Sequence, residues 1–174
     1  TQGLFATLII GTMIQQIGLL IGGSTGNVIY LLGKAAAALT SAGIGVGVAV
    51  KYGESPLVTV SAAVAAMVGG YAGKITGGTF FVDGNAVLAG PGEPLGAFIA
   101  AFAGITCGHL VSGKTKVDII VTPVITIGAG SVVGLLVGPP ISQMMTGLGS
   151  IINWATEQRP FIMGIVVSVV MGMV

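Results

Sequence analysis

The stretch IIVTPVITIGAGSVVGLLV, Ile119–Val137, carries no ionisable side chain and is close to the ~20 apolar positions that cross a hydrocarbon core. Four further stretches read the same way: Leu4–Ile21, Val28–Val50, Leu57–Tyr71 and Leu95–Val111. The composition of the whole chain agrees with them. Among 174 residues only 6% are charged, 53% are hydrophobic and 31 are glycine, with a mean hydropathy of +1.04. Soluble domains carry about 25% charged residues because their surfaces must stay hydrated. The counts therefore exclude a cytosolic enzyme, a nucleic-acid binder and a disordered tail. They predict an all-α polytopic membrane protein of about five full transmembrane helices in a single domain, 1–174.

Local chemistry sets the expected boundaries. Ser55 can cap free amides with Pro56 at the first helical position, and Pro94 opens a later helix in the same manner. Gly22-Gly23-Ser24-Thr25-Gly26 reads as an uncharged turn, and Pro139-Pro140 as a helix stop. Residues 73–93 read as a long irregular loop. Residues 141–156 suit a re-entrant or interfacial segment, and the apolar run from Phe161 to Val174, about 14 residues, reads as a truncated last helix. By the lysine balance of short loops, Lys51, Lys114 and Lys116 lie on the cytoplasmic side.

Small residues recur at four-residue spacing: Gly18 and Gly22, Gly104 and Gly108, then Gly130, Gly134 and Gly138. Helices in lipid gain little from hydrophobic burial against one another, so such faces supply contact by close approach. Polar side chains in these stretches are the candidate ligand contacts. They are Gln15 and Gln16 in the first helix, His109 near the end of the fourth, and Glu93 within Gly90-Pro91-Gly92-Glu93-Pro94. Asp83 and Asn85 stand upstream of that carboxylate, and Asn153, Trp154 and Glu157 form a later group with a ring to stack and polar groups to bind hydroxyls. A single histidine and a single cysteine, Cys107, supply neither a metal set nor a nucleophile with its base. Gly113-Lys114-Thr115 lacks the glycine loop of a phosphate site. No catalytic residue, metal or cofactor is expected.

Several strings carry a resemblance. They are Gly43–Gly47 followed by Val48-Ala49-Val50-Lys51, then Ser112–Pro123, Val137-Gly138-Pro139-Pro140 and Ile151–Thr156. On these the chain resembles the bacterial phosphotransferase-system membrane component, enzyme IIC, of the second sequence type, which includes perfringolysin-regulator-like proteins. The resemblance implies the N-terminal half of a longer transporter in the bacterial inner membrane. It implies uptake of a sugar-like solute by alternating access, a separate IIB protein that delivers the phosphoryl group, and a homodimer. Better-understood relatives of this kind bind sugar through a Glu and a His. Lipid is the surrounding partner and nucleic acid is not one. The competing expectation is a non-transporting membrane regulator or scaffold, which the sparse aromatics (6%) favour slightly.

Overall fold

The computed structural model describes residues 2–82, 85–88, 90–114, 117–158, 164–165 and 168–169. Asp83, Lys116, Arg159 and nearly all of the run from Phe161 lie outside them. The chain is an all-α polytopic membrane protein, with α1 Gln2–Ile21, α2 Gly23–Ala38, α3 Thr40–Lys51, α4 Pro56–Gly70, α5 Ala72–Thr76, α6 Pro94–Val111 and α7 Asp118–Gln158. A two-residue antiparallel ribbon, β1 Phe81–Val82 and β2 Asn85–Ala86, lies between α5 and α6.

Each of the five apolar stretches is helical, but they are not five equal spans. Among the described residues three helices, α1, α6 and α7, are long and apolar enough to cross a membrane, and α2 with α3 makes a fourth if the bent pair is one span. The pair bends by 50° at Leu39. At 15 residues α4 is apolar but short, roughly 22 Å at 1.5 Å per residue. The glycine turn after Ile21 is tighter than the five residues expected. It is taken by the left-handed Gly22 and Gly23, at φ 64° and 66°, and Gly23 through Gly26 already belong to α2.

Capping at α4 follows the local reading: Pro56 is its first residue and Ser55 Oγ accepts the Val58 amide at 3.4 Å. Pro139-Pro140, by contrast, does not stop α7, whose helical backbone runs on to Gln158. A proline withdraws one donor and crowds one carbonyl, a loss that membrane helices tolerate more readily than soluble ones. The backbone divides into two compact units at this pair, residues 1–139 and 140–174. In the second unit residues 141–156 are helical, with Asn153 exposed.

Within the first unit, the core is made of small side chains. Ile44, Val48, Ala49, Val58, Ala62, Ala66, Ala97, Ala101 and Ile105 form one buried cluster from α3, α4 and α6. Backbones meet directly along its flanks. A Cβ on Gly130 would come within 2.7 Å of the Ala100 carbonyl, and one on Gly104 within 2.7 Å of the Thr126 carbonyl. In the α1–α2 hairpin, a Cβ on Gly33 would lie 2.6 Å from the Gly11 carbonyl. These seams replace interdigitated large side chains with van der Waals contact between main chains.

One buried hydroxyl is poorly served by this packing. Thr126 Oγ1 is fully buried against Gly108 and has no hydrogen-bond partner. Valine has the same shape without the polar atom, and an unsatisfied hydroxyl costs about 1–3 kcal/mol. Thr126→Val is therefore expected to raise thermal stability in detergent by about 1 kcal/mol, read as a higher melting temperature. Thr122, also buried, donates to Asp118 Oδ1 at 2.6 Å, so Thr122→Val should lower it.

Candidate functional site

Three interruptions of helical backbone meet in one place. The first is Leu39, where the helix ladder slips: its amide is shared between the Ala35 and Ala36 carbonyls at 3.3 and 3.2 Å. Thr40, buried, turns its hydroxyl back to the Ala37 carbonyl at 2.7 Å, one of the local bonds by which threonine competes with the helix. The break lies 12 residues from Lys51 at the end of α3, which is roughly 18 Å of helix. That depth is inside a ~30 Å hydrocarbon layer.

The second interruption is Tyr71, buried between α4 and α5 at φ −106°. Gly69 and Gly70 precede it and bring α4 against neighbours; a Cβ on Gly69 would lie 2.5 Å from the Gly96 carbonyl.

The third is the segment Gly90–Glu93, whose main chain seats on both breaks. Ser41 Oγ donates to the Pro91 carbonyl at 3.0 Å, and the Glu93 amide donates to the Gly70 carbonyl at 2.7 Å. The Tyr71 hydroxyl donates to the Ala38 carbonyl at 3.1 Å and to the Gly90 carbonyl. Gly90 and Gly92 hold left-handed conformations at φ 81° and 75°, which glycine alone adopts freely. Glu93 stands at the N-cap of α6 with Pro94 first in the helix, and its half-buried side chain makes no capping bond. The junction therefore gathers hydroxyls of Ser41 and Tyr71, freed carbonyls and one carboxylate inside an apolar bundle. Both hydroxyls donate to protein carbonyls, and each carbonyl and the carboxylate keeps spare acceptor capacity.

A second polar cluster sits at the opposite end of α6. His109 Nδ1 meets Glu54 Oε1 at 2.9 Å, the histidine 72% exposed and the glutamate 8%. Ser55 Oγ and Ser112 Oγ lie 3.4 Å apart beside them. The α3–α4 turn and the loop after α6 are thereby at one end of the bundle.

A family model described as "Phosphotransferase system, EIIC" matches residues 1–174. The chain belongs to that family. None of the curated proteins or solved structures compared with it matches. An EIIC chain is the membrane transport component of a phosphotransferase system and works with partner proteins of that system such as IIB.

Against this EIIC fold, the residues expected from sequence to bind solute are scattered. Gln15 is half-buried, and its amide donates to the Gly33 and Gly11 carbonyls at 3.3 and 3.4 Å, tying α1 to α2. Gln16 faces outward in a shallow furrow with Thr12, Met13, Ile17 and Leu20. Asn85 is exposed in the ribbon, paired with Val82. Glu93 and His109 lie at opposite ends of α6, 16 residues apart, or about 24 Å of helix. Asn153 belongs to the second unit. Asp83, and the side chains of Trp154 and Glu157, are outside the described residues. Of the expected residues described in the first unit, only Glu93 is in the junction. Ser41, Tyr71 and Glu54 are not among the expected residues, although each carries a signal: a Thr-Ser pair amid alanine and glycine, a tyrosine after two glycines, and a carboxylate after a glycine in a short turn. Among the described residues no group of three or more His, Cys, Asp or Glu could hold a metal.

Proposed function

We propose that this EIIC chain binds a sugar-like solute at the junction of Ser41, Tyr71 and Glu93 and passes it across the bacterial inner membrane by alternating access. The observation that carries this reading is the Gly90–Glu93 main chain hydrogen-bonded to two broken helices at once. Broken helices expose carbonyls at membrane depth only where protein or a water-filled cavity satisfies them, and discontinuous helices commonly form transporter binding sites. Here a four-residue loop satisfies them. Its withdrawal would present the same hydroxyls and carbonyls to a polyol, and its return would close one face of the path. Glu93, half-buried beside the loop, is the acceptor for a sugar hydroxyl. The reading extends to a separate IIB protein as phosphoryl donor and a homodimer as the working unit.

The test is ligand binding by the purified protein in detergent, scanned by thermal shift over a panel of mono- and disaccharides, hexitols and their phosphates. One class should raise the melting temperature, and Ser41→Ala and Glu93→Gln should each weaken its binding about ten-fold, the loss of one charge-assisted or buried hydrogen bond. A folded protein that answers to no solute and captures no IIB protein would instead be a membrane regulator or scaffold.

A further inference from the structure

Two clefts flank the contact between the start of α1 and the C-terminal half of α3, and they share one polar mouth. The larger, about 650 Å³, is walled by Ala6, Thr7, Gly43, Val46, Gly47 and Val50. The smaller, about 340 Å³, is walled by Val48, Tyr52 and Phe98. Gln2, Gly47 and Lys51 line both. Thr7 contributes little polarity, because its hydroxyl is tied to the Gly3 carbonyl at 2.8 Å. The pattern is two largely apolar furrows that share a lysine and an amide, with Tyr52 lining the smaller.

The charge at that mouth is unanswered among the described residues. Among the described residues no carboxylate is ion-paired with Lys51. The two described carboxylates at this end are engaged elsewhere: Glu54 with His109, and Asp118 with the Gly113 amide and the Thr122 hydroxyl. Tyr52 and Phe102 pack edge to face at 6.0 Å, with Phe98 stacked on Phe102 at 6.3 Å, and tyrosine is one of the residues enriched at membrane–water boundaries. A cation at that level with apolar furrows running from it matches one molecule in both charge and shape.

We infer that this double cleft seats a single anionic phospholipid, its phosphate at Lys51 and Gln2 and its two acyl chains in the furrows on either side of Gly47. Cationic pockets between membrane helices bind anionic headgroups with about 1 kcal/mol from each lysine near the surface. The chains add apolar contact that a free anion lacks. A lipid held here bridges α1, α3 and α6, and would stiffen the end of the bundle that carries the His109–Glu54 pair.

The experiment uses the full chain in mild detergent, with bound lipid counted by native mass spectrometry after titration with phosphatidylglycerol or phosphatidylcholine. One phosphatidylglycerol is expected to stay bound, in preference to phosphatidylcholine. Lys51→Gln should weaken it about five-fold, while Lys114→Gln leaves it unchanged. Val46→Trp, which fills the larger furrow without touching the charge, should weaken both lipids. Equal retention of both lipids by the unaltered protein, or of phosphatidylglycerol by Lys51→Gln, would overturn the inference. So would competition by glycerol phosphate as strong as by the whole lipid, which would make it a plain anion site. A lipid-free dimer disrupted by Val46→Trp would assign the face to a second copy and overturn it equally. Sugar binding need not change in any arm, so this result is independent of the solute site.

Discussion

Gly92→Ala should destabilise the protein by about 2–5 kcal/mol, whereas Gly90→Ala, two residues away, should cost about 1–2 kcal/mol. Both glycines adopt left-handed backbone, at φ 75° and 81°, and an L-residue there carries a penalty of roughly 1–2 kcal/mol. They differ in surroundings. A Cβ on Gly90 would meet nothing within 4 Å, while one on Gly92 would lie 2.5 Å from Ser41 Oγ and 3.0 Å from the Gly70 carbonyl. The second contact is main chain in a packed seam and has little room to retreat, which adds the ~1–3 kcal/mol typical of overpacking. Thermal unfolding of both variants in the same detergent measures the difference. Adding Ser41→Ala to Gly92→Ala should recover part of the loss and never all of it, since the Gly70 carbonyl stays. Equal melting temperatures for Gly90→Ala and Gly92→Ala would mean that the loop does not seat on the two breaks.

Tyr71→Phe should cost about 1–3 kcal/mol and loosen the Gly90–Glu93 segment selectively. The substitution keeps the ring, and with it the contacts to Phe80 at 5.5 Å between centroids and to Lys74 Nζ at 5.3 Å. Only the hydroxyl goes. One O–H proton is shared between the Ala38 and Gly90 carbonyls, so its removal leaves the buried Ala38 carbonyl short of a donor, a penalty of the size given. The Ala38 carbonyl belongs to the α2–α3 break and the Gly90 carbonyl to the loop, so one deletion uncouples two of the three elements. Hydrogen exchange should accelerate at the amides of Gly90, Gly92 and Glu93, while the α1–α2 hairpin, held by its glycine seam and by Gln15, keeps its protection. Uniform acceleration across both would show that Tyr71 merely supports the whole bundle.

Much of the fold was legible because the rules that apply are local. Pro56 and Pro94 open helices where a missing donor is harmless, and Ser55 caps the first of these. Two expectations failed for reasons equally physical. Pro139-Pro140 reads as a stop under the rule for soluble helices, but the helix continues through it. The uniform apolar stretch Val28–Val50 conceals the break at Leu39, because neither glycine nor proline marks it and the threonine beside it is an ordinary residue in a membrane helix.

Composition and apolar run length alone determined that the chain lives in lipid, roughly where its helices lie and how several begin, since partition and capping depend on neighbours along the chain. Only the tertiary structure decided which polar groups form a site. Ser41 meets Pro91 across 50 positions and Tyr71 meets Ala38 across 33, while Glu93 and His109, similar candidates by type, end on opposite sides of the bundle. The physical reason is the glycine and alanine seams: small residues let backbones approach at many registers, and the one adopted is chosen by hydrogen bonds between carbonyls and hydroxyls that no local pattern announces.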